Sequence, residues 1–321
     1  MRRWLDDAIA GALLLLLAVW STRWLDVTAY PIVLLQTTGP FVALGLGLLL
    51  VGTALLRRKR LLVPVGAATL AAVVLAVPGF RSQADPGATR ALTAMSADMA
   101  GGAADATQVM DAVRLHAVDV LVLLRVTPDA VRRLDAAGLS GYLRHRVGAP
   151  VGGGGAGTIL LSRYPLTGVP AGGTSRGVGR GAGAAPEATV EVGGVRLRVK
   201  AVSVPAAASG STSRWRSGLR AVAQWRASRP ASEALLLLGD FNAATGHPAF
   251  REAAEGLQDA QRAAGGGWVR TWPFAGHRMP PWVQLDHVLS RGLVLTDAGQ
   301  VAVHGTEHAL VWGAYAVTRG G

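Results

Sequence analysis

The chain has 321 residues, 50% of them hydrophobic, no cysteine and a formal charge of +12. The lack of cysteine excludes disulfides and thiolate metal sites without fixing a compartment, and the length allows one large domain plus an appendage. The charge is nearly all arginine, with Lys59 and Lys200 as the lysines, and the chain is rich in Ala and Gly. That is the residue usage of a GC-rich genome, so the charge is not read as a nucleic-acid signature.

The apolar residues crowd into the first quarter of the chain, which points to membrane segments rather than to one large core. Residues 8–20 are continuous and apolar, with Trp4, Trp20 and Trp24 at the ends as interfacial anchors and Arg23 placed to snorkel. Residues 30–36 read as an interfacial segment rather than a separate span. Residues 40–56 and 61–77 are the second and third apolar runs, divided by the basic cluster Arg57-Arg58-Lys59-Arg60. A cleaved signal peptide is the competing reading; two further apolar runs and the lack of a small-residue cleavage site count against it. Arg2, Arg3 and the basic cluster bracket an odd number of spans. The positive-inside rule then puts residues after Val77 outside the cytoplasm. The expected organisation is a three-helix membrane anchor over 1–77, a linker over 78–90 rich in turn-forming residues, and a soluble domain over 91–321.

In the soluble part strands and helices alternate. A strand is predicted over 92–97, an amphipathic helix over 106–115 and an apolar strand over 119–126. Thr127-Pro128 supplies an N-cap and N1 proline for a helix through Leu134. Residues 158–162 read as a short buried strand. Residues 188–192 and 195–202 flank Gly193-Gly194 as a hairpin. A helix over 214–227 follows, then strands over 234–238, 283–289 and 310–317. Hairpins mixed with helices predict an α/β (α+β) layered sandwich rather than a purely parallel sheet. Residues 152–155 and 171–185 read as glycine-rich loops; they lack the Lys-Ser/Thr that would make a phosphate cradle.

Three motifs carry chemistry. The leucine strand runs into Gly239-Asp240-Phe241-Asn242, which puts a carboxylate and an amide at one strand end. Such oxygen donors suit Mg²⁺ and phosphate, although a plain turn capped by Asn has the same sequence. Downstream come Gln284-Leu285-Asp286-His287-Val288-Leu289 and Gly305-Thr306-Glu307-His308. Asp286 could orient His308 as an acid or base. His287, next to Asp286 in a strand, points to the opposite face and reads as structural.

These pieces, in this order, together with Ser162-Arg163-Tyr164-Pro165-Leu166, resemble the endonuclease/exonuclease/phosphatase family, which includes deoxyribonuclease I and the inositol polyphosphate 5-phosphatases. Three preceding spans resemble a membrane-anchored actinobacterial branch of it. The resemblance covers roughly residues 92–317. It implies two packed mixed β-sheets flanked by helices, a divalent-metal site at one rim, and in-line hydrolysis of phosphate esters. It assigns catalytic roles to Asp240, Asn242, Asp286 and His308. It assigns metal binding to Asp98, Asp240 and Glu307, with Mg²⁺ as the ion if the site is active.

The pattern departs at the rim. Glu307 stands where the family has Asp, Asp98 where it has Asn, Ser203 where it has His, and Arg125 where it has the metal-binding Glu. Two unit charges ~4 Å apart interact by roughly 4 kcal/mol at an effective dielectric near 20. Exchanging a carboxylate for a guanidinium therefore predicts weakened or lost metal catalysis. The paired sign changes predict that Arg125 fills the missing cation's place, bridging Asp98 to Asp240 or Glu307. Two function classes stay open. One is a hydrolase acting on phosphate esters, lipid-linked or from the cell envelope. The other is a binding protein that keeps the fold and pocket. The expected location is the cell membrane, multi-pass, with the lipid bilayer as a partner.

Overall fold

The computed structural model describes residues 2–152, 157–168, 185–276 and 279–317. Apart from Gly152 and Ala185, the two glycine-rich loops expected from sequence lie outside them.

The segment expected to be an anchor, hereafter the anchor, consists of α1 (Arg2–Ser21), the short α2 (Tyr30–Leu35), α3 (Gly39–Leu55) and α4 (Lys59–Ala76). Three stretches, Arg3–Trp24, Tyr30–Leu55 and Lys59–Phe80, are long and apolar enough to cross a membrane. Their apolar surface points both ways. Leu46 and Val65 are fully buried among the helices, while Leu14, Leu48, Val63 and Leu70 face outward. A lipid-facing bundle has that distribution, because its outer surface needs no water-compatible side chains. Residues 30–36, expected at the interface, form α2 and a 3₁₀ turn that lead straight into α3.

The rest of the chain is a four-layer sandwich. In order come β1 (Leu92–Asp98), α5 (Ala106–Leu115), β2 (Val120–Val126), α6 (Pro128–Ala136), α7 (Leu139–Tyr142), β3 (His145–Ala149) and β4 (Gly157–Ser162). Then follow β5 (Glu187–Val192), β6 (Val195–Ser203), α8 (Thr212–Ala227), β7 (Ala234–Asp240) and α9 (Pro248–Ala253). The last are β8 (Gln258–Asp259), α10 (Ala260–Ala263), β9 (Asp286–Arg291), β10 (Val294–Val301) and β11 (Leu310–Ala316). One sheet is six-stranded, in the order β10-β11-β1-β2-β4-β3. The other is five-stranded, β5-β6-β7-β9-β8. Each is mixed, with a parallel pair (β1–β2, β6–β7) inside antiparallel neighbours.

Strand alternation builds the core. Leu92, Ala94, Val120, Val122, Leu236, Leu238 and Val288 point between the sheets. Met95, Ala97, Leu121 and Leu123 point out to α5 and α6. Leu235, Leu237 and Leu289 point to α8 and α9.

Two sequence expectations need correction. The strand expected from residue 283 begins at Asp286, because Val283 pairs with Trp272 in an isolated bridge and Leu285 donates its N–H to Thr271 Oγ1 at 2.9 Å. Strands β3 and β10, unexpected from sequence, are the two edges of the first sheet. Edge strands carry polar and small residues on their open side, which hides the alternation.

The anchor is seated on the sandwich. Val33 of α2 is packed into the cluster under α8 and α9. Asp26, just before α2, pairs with Arg216 and Arg220. Arg251 donates to the Arg23 carbonyl at 2.7 Å. Gly246 approaches so closely that a Cβ there would lie 1.8 Å from the Gln36 carbonyl oxygen. All of these contacts lie at the end of the bundle away from Arg57–Arg60.

His247 clamps this junction. Its Nε2 donates to the Val33 carbonyl at 3.0 Å, and its Nδ1 accepts from the Ala244 N–H at 2.9 Å. A proton on Nδ1 would face another N–H. Burial lowers its pKa from 6.5 to about 4. Its contribution is therefore intact above pH 6.5 and shrinks as pH falls towards 4, where the unfolded chain takes up a proton that the folded chain refuses. The expected loss is ~2 kcal/mol on going from about pH 7 to pH 5. Thermal midpoints of the detergent-solubilised chain should fall over that interval, and fall less in His247→Gln; an equal fall in both would remove His247 as the cause.

Candidate active site at the sheet rim

The carboxylates meet because of strand register. Asp98 ends β1, Asp240 ends β7 and Asp286 begins β9. Each continues the alternation that points between the sheets, as does Ser203 at the end of β6. Asp240 is paired in register with Ser203 on one side and Asp286 on the other. His287 takes the opposite face, as its position in the strand predicts. It is fully buried and bonded to Asp259 at 2.7 Å and to the Ala243 carbonyl at 2.8 Å.

The Gly-Asp-Phe-Asn motif has a steric reason at both ends. A Cβ on Gly239 would lie 1.9 Å from the Val202 carbonyl oxygen of parallel β6, at a φ of 147°. Asn242 has a φ of 47°, a left-handed conformation that Asn tolerates better than most residues. That turn lets its N–H donate to Asp240 Oδ1 at 2.7 Å and its Nδ2 donate to Asp240 Oδ2 at 2.6 Å. The buried Trp215 of α8 holds the Asn242 carbonyl through Nε1 at 2.9 Å.

A β-bulge aims Arg125. Leu123 of β2 pairs with Ile159, but Val126 pairs with Gly157, so β2 carries one extra residue. Arg125 lies in that bulge with a φ of 49°. Bulges beside a sheet rim commonly redirect a side chain in this way. Here Arg125 Nε donates to both carboxylate oxygens of Asp98 at 2.7 Å. Asp98 Oδ1 also accepts the Ala100 N–H at 2.7 Å. The expected guanidinium–Asp98 pair is therefore present. The expected bridge onward to Asp240 or Glu307 is not an ion pair among the described residues; those acids act on Arg125 only through their field.

His308 Nδ1 lies 2.9 Å from Asp286 Oδ2, which fixes the ring and leaves Nε2 towards the cavity. Burial works against charge on this imidazole, but Asp286 and then Asp240 outweigh it and raise its pKa. Burial also raises the Asp240 pKa; His308 opposes that shift, and Asp286 and Asp98 add to it. Burial opposes the Arg125 charge as well, and Asp98, Asp240 and Glu307 together more than restore it. The four acids and two bases thus form one electrostatically linked group.

Asp98, Asp240 and His308 each offer a ligand atom, all within 4.8 Å of one another, so this group could hold a metal ion. Glu307, the other expected ligand, lines the same cavity. That cavity has a volume of about 440 Å³. Asp98, Arg125, Asp240 and His308 line its polar side, and Asp286 stands behind His308. Its apolar side includes residues that the motifs did not mark: Tyr30, Val33 and Leu34 of the anchor and Trp272 and Trp282 of the sandwich. For Tyr30, Val33 and Leu34 the one sequence signal was the apolar stretch 30–36, too short and oddly placed for a span; Trp272 and Trp282 had none.

The profile of the endonuclease/exonuclease/phosphatase family matches residues 95–308, from β1 to His308. The chain belongs to this family. Family members act with divalent metal ions. Solved structures share the fold at low identity. A humanized D. rerio TDP2 is 15% identical, with a TM-score of 0.53 over 70% of this chain and 99% of its own. A functionally unknown conserved protein from Enterococcus faecalis is 15% identical, with a TM-score of 0.54 over 71% of this chain and 100% of its own. An endonuclease/exonuclease/phosphatase from Beutenbergia cavernae is 19% identical, with a TM-score of 0.51 over 71% and 72%. No curated protein matches the chain by sequence.

The Asp98 side chain is 1% exposed and that of Arg125 40%. Arg125→Met should therefore strand a buried carboxylate and cost ~2 kcal/mol. Asp98→Asn in the same chain should recover at least about half of that. Denaturant midpoints of the four chains in the cycle measure the coupling, and purely additive effects would show that the pair carries no weight.

Proposed function

We propose that this chain is a membrane-anchored, extracytoplasmic member of the family that retains a phosphate-ester pocket while its metal-dependent hydrolysis is weakened or lost. The observation that carries this reading is the Arg125–Asp98 pair, both oxygens at 2.7 Å from Nε. The guanidinium takes up a carboxylate that a metal would need, at the position where the family pattern has a metal-binding Glu. Asp240 has both oxygens engaged by Asn242. Beside it stand a histidine nitrogen and, on the same cavity wall, Glu307, whereas Mg²⁺ prefers an all-oxygen set in near-octahedral order. The donor set therefore fits Mg²⁺ poorly.

Binding survives this loss. Arg125 spends Nε on Asp98, and its Nη groups suit an oxyanion. His308 Nε2 can donate beside it. The apolar wall of Tyr30, Val33 and Leu34 supports a lipid-linked ligand, with its phosphate at the polar end and its chain towards the anchor. The intact Asp286–His308 contact at 2.9 Å favours the second reading, an active phosphodiesterase or phosphatase with a rearranged site.

A Mg²⁺ titration of the full chain in detergent, with phosphodiester and phosphomonoester substrates in parallel, separates the two. Little Mg²⁺-dependent turnover is expected. Arg125→Glu with Asp98→Asn and Ser203→His should gain metal affinity by at least about tenfold, or ~1.4 kcal/mol. Brisk turnover by the unaltered chain would overturn the weakened-site reading.

The extracytoplasmic placement rests on three apolar helices and the sandwich docked opposite the basic cluster. A reporter active only in the cytoplasm, fused after Arg90, should be silent; activity there would place the sandwich inside.

A further inference from the structure

A second cavity lies in the seam between anchor and sandwich. Its volume is about 920 Å³. Trp20, Ala72, Leu75 and Ala76, from the ends of α1 and α4, wall one side. Arg23, Arg251 and Arg262 line it from the sandwich and the anchor end. All three arginines are half-buried. None of them forms an ion pair among the described residues. Asp259 is the one acid among the described lining residues, and its carboxylate is engaged by His287 at 2.7 Å and by Gln284.

From these observations we infer that the seam is a binding site for an anionic membrane phospholipid, with its phosphate among Arg23, Arg251 and Arg262 and its acyl chains along α1 and α4. Asp259 is felt by Arg262 through its field, but one shared acid leaves three half-buried guanidiniums in excess, which is costly, and an anion among them lowers that cost. The proximity of the charges is felt in the protein itself: burial, and then the Arg23 charge, lower the Arg251 pKa. Arg251 already donates to the Thr245, Gly246 and Arg23 carbonyls, so it holds the seam together. Arg23 lies over the Trp24 ring at 5.3 Å, and Arg262 packs over Gly79, at the membrane ends of α1 and α4. A phosphate there sits at headgroup depth, where basic pockets between membrane helices recruit acidic lipid. The chain walls are continuous with the lipid-facing helices, which suits a lipid and not a soluble phosphate. The lipid would bridge anchor and sandwich, and this site is independent of the catalytic reading above.

The test uses the full chain in phosphatidylcholine nanodiscs, with and without phosphatidylglycerol, followed by transfer to detergent and native mass spectrometry. Phosphatidylglycerol should be retained over phosphatidylcholine by at least about tenfold at equal mole fraction. Arg262→Gln and Arg23→Gln should each cut that retention by about fivefold or more, while Arg262→Lys keeps most of it. Arg57→Gln with Arg60→Gln, at the far end of the bundle, should leave it unchanged. Thermal midpoints of every variant report folding, and Arg262→Lys serves as the charge-preserving comparison should a Gln variant misfold. Equal retention of both lipids, or loss caused by the Arg57 and Arg60 changes but not by the seam variants, would overturn the site. Displacement of the lipid by soluble glycerol phosphate would also overturn it, in favour of a free anion.

Discussion

Negative charge converging on one strand rim is the constraint around which this molecule is arranged. Alternation aims Asp98, Asp240 and Asp286 into the gap between the sheets, and register sets Asp240 directly beside Asp286. Crowded carboxylates in a low-dielectric gap must bind a cation, take up protons or meet built-in positive charge. This chain supplies positive charge from two directions, a guanidinium on Asp98 and an imidazole on Asp286. The bulge in β2, the left-handed turn at Asn242 and the buried Trp215 behind it all serve to hold that balance in place.

The second determinant is that the anchor is part of the structure rather than a tether. Val33 is as buried as a core residue, and Asp26, His247 and Arg251 tie the segment around it to α8 and α9. Both cavities lie against that segment and share Thr37, Trp282 and Val283. The orientation of the sandwich relative to the helices, and hence the exposure of each cavity, follows from a few polar contacts around Tyr30–Leu35.

The layered fold was legible because its central strands are leucine- and valine-rich and its helix caps are explicit, as at Thr127-Pro128. The rim was legible because Gly-Asp-Phe-Asn, Asp286 and His308 occur in an order with a physical meaning. Opposite faces for Asp286 and His287 followed from period two alone. What stayed hidden was long-range. β3 and β10 are edges whose polar residues mask alternation. The Val283 bridge depends on Trp272, which no local pattern pairs with it. The bulge at Arg125 shows only when Gly157 is seen opposite Val126. The apolar wall from Tyr30, Val33 and Leu34 comes from a different part of the chain, and no window of sequence joins it to His308.

On the proposed reading, the wall contributed by α2 would change the units in which this protein senses its surroundings. A lipid-linked ligand that reached Arg125 along Tyr30 and Leu34 would come from the bilayer, so its effective concentration would be a surface density. Occupancy would then follow the mole fraction of that lipid in its leaflet and be insensitive to the volume of water outside. Diluting the membrane with inert lipid would empty the cavity, whereas diluting the suspension would leave it filled.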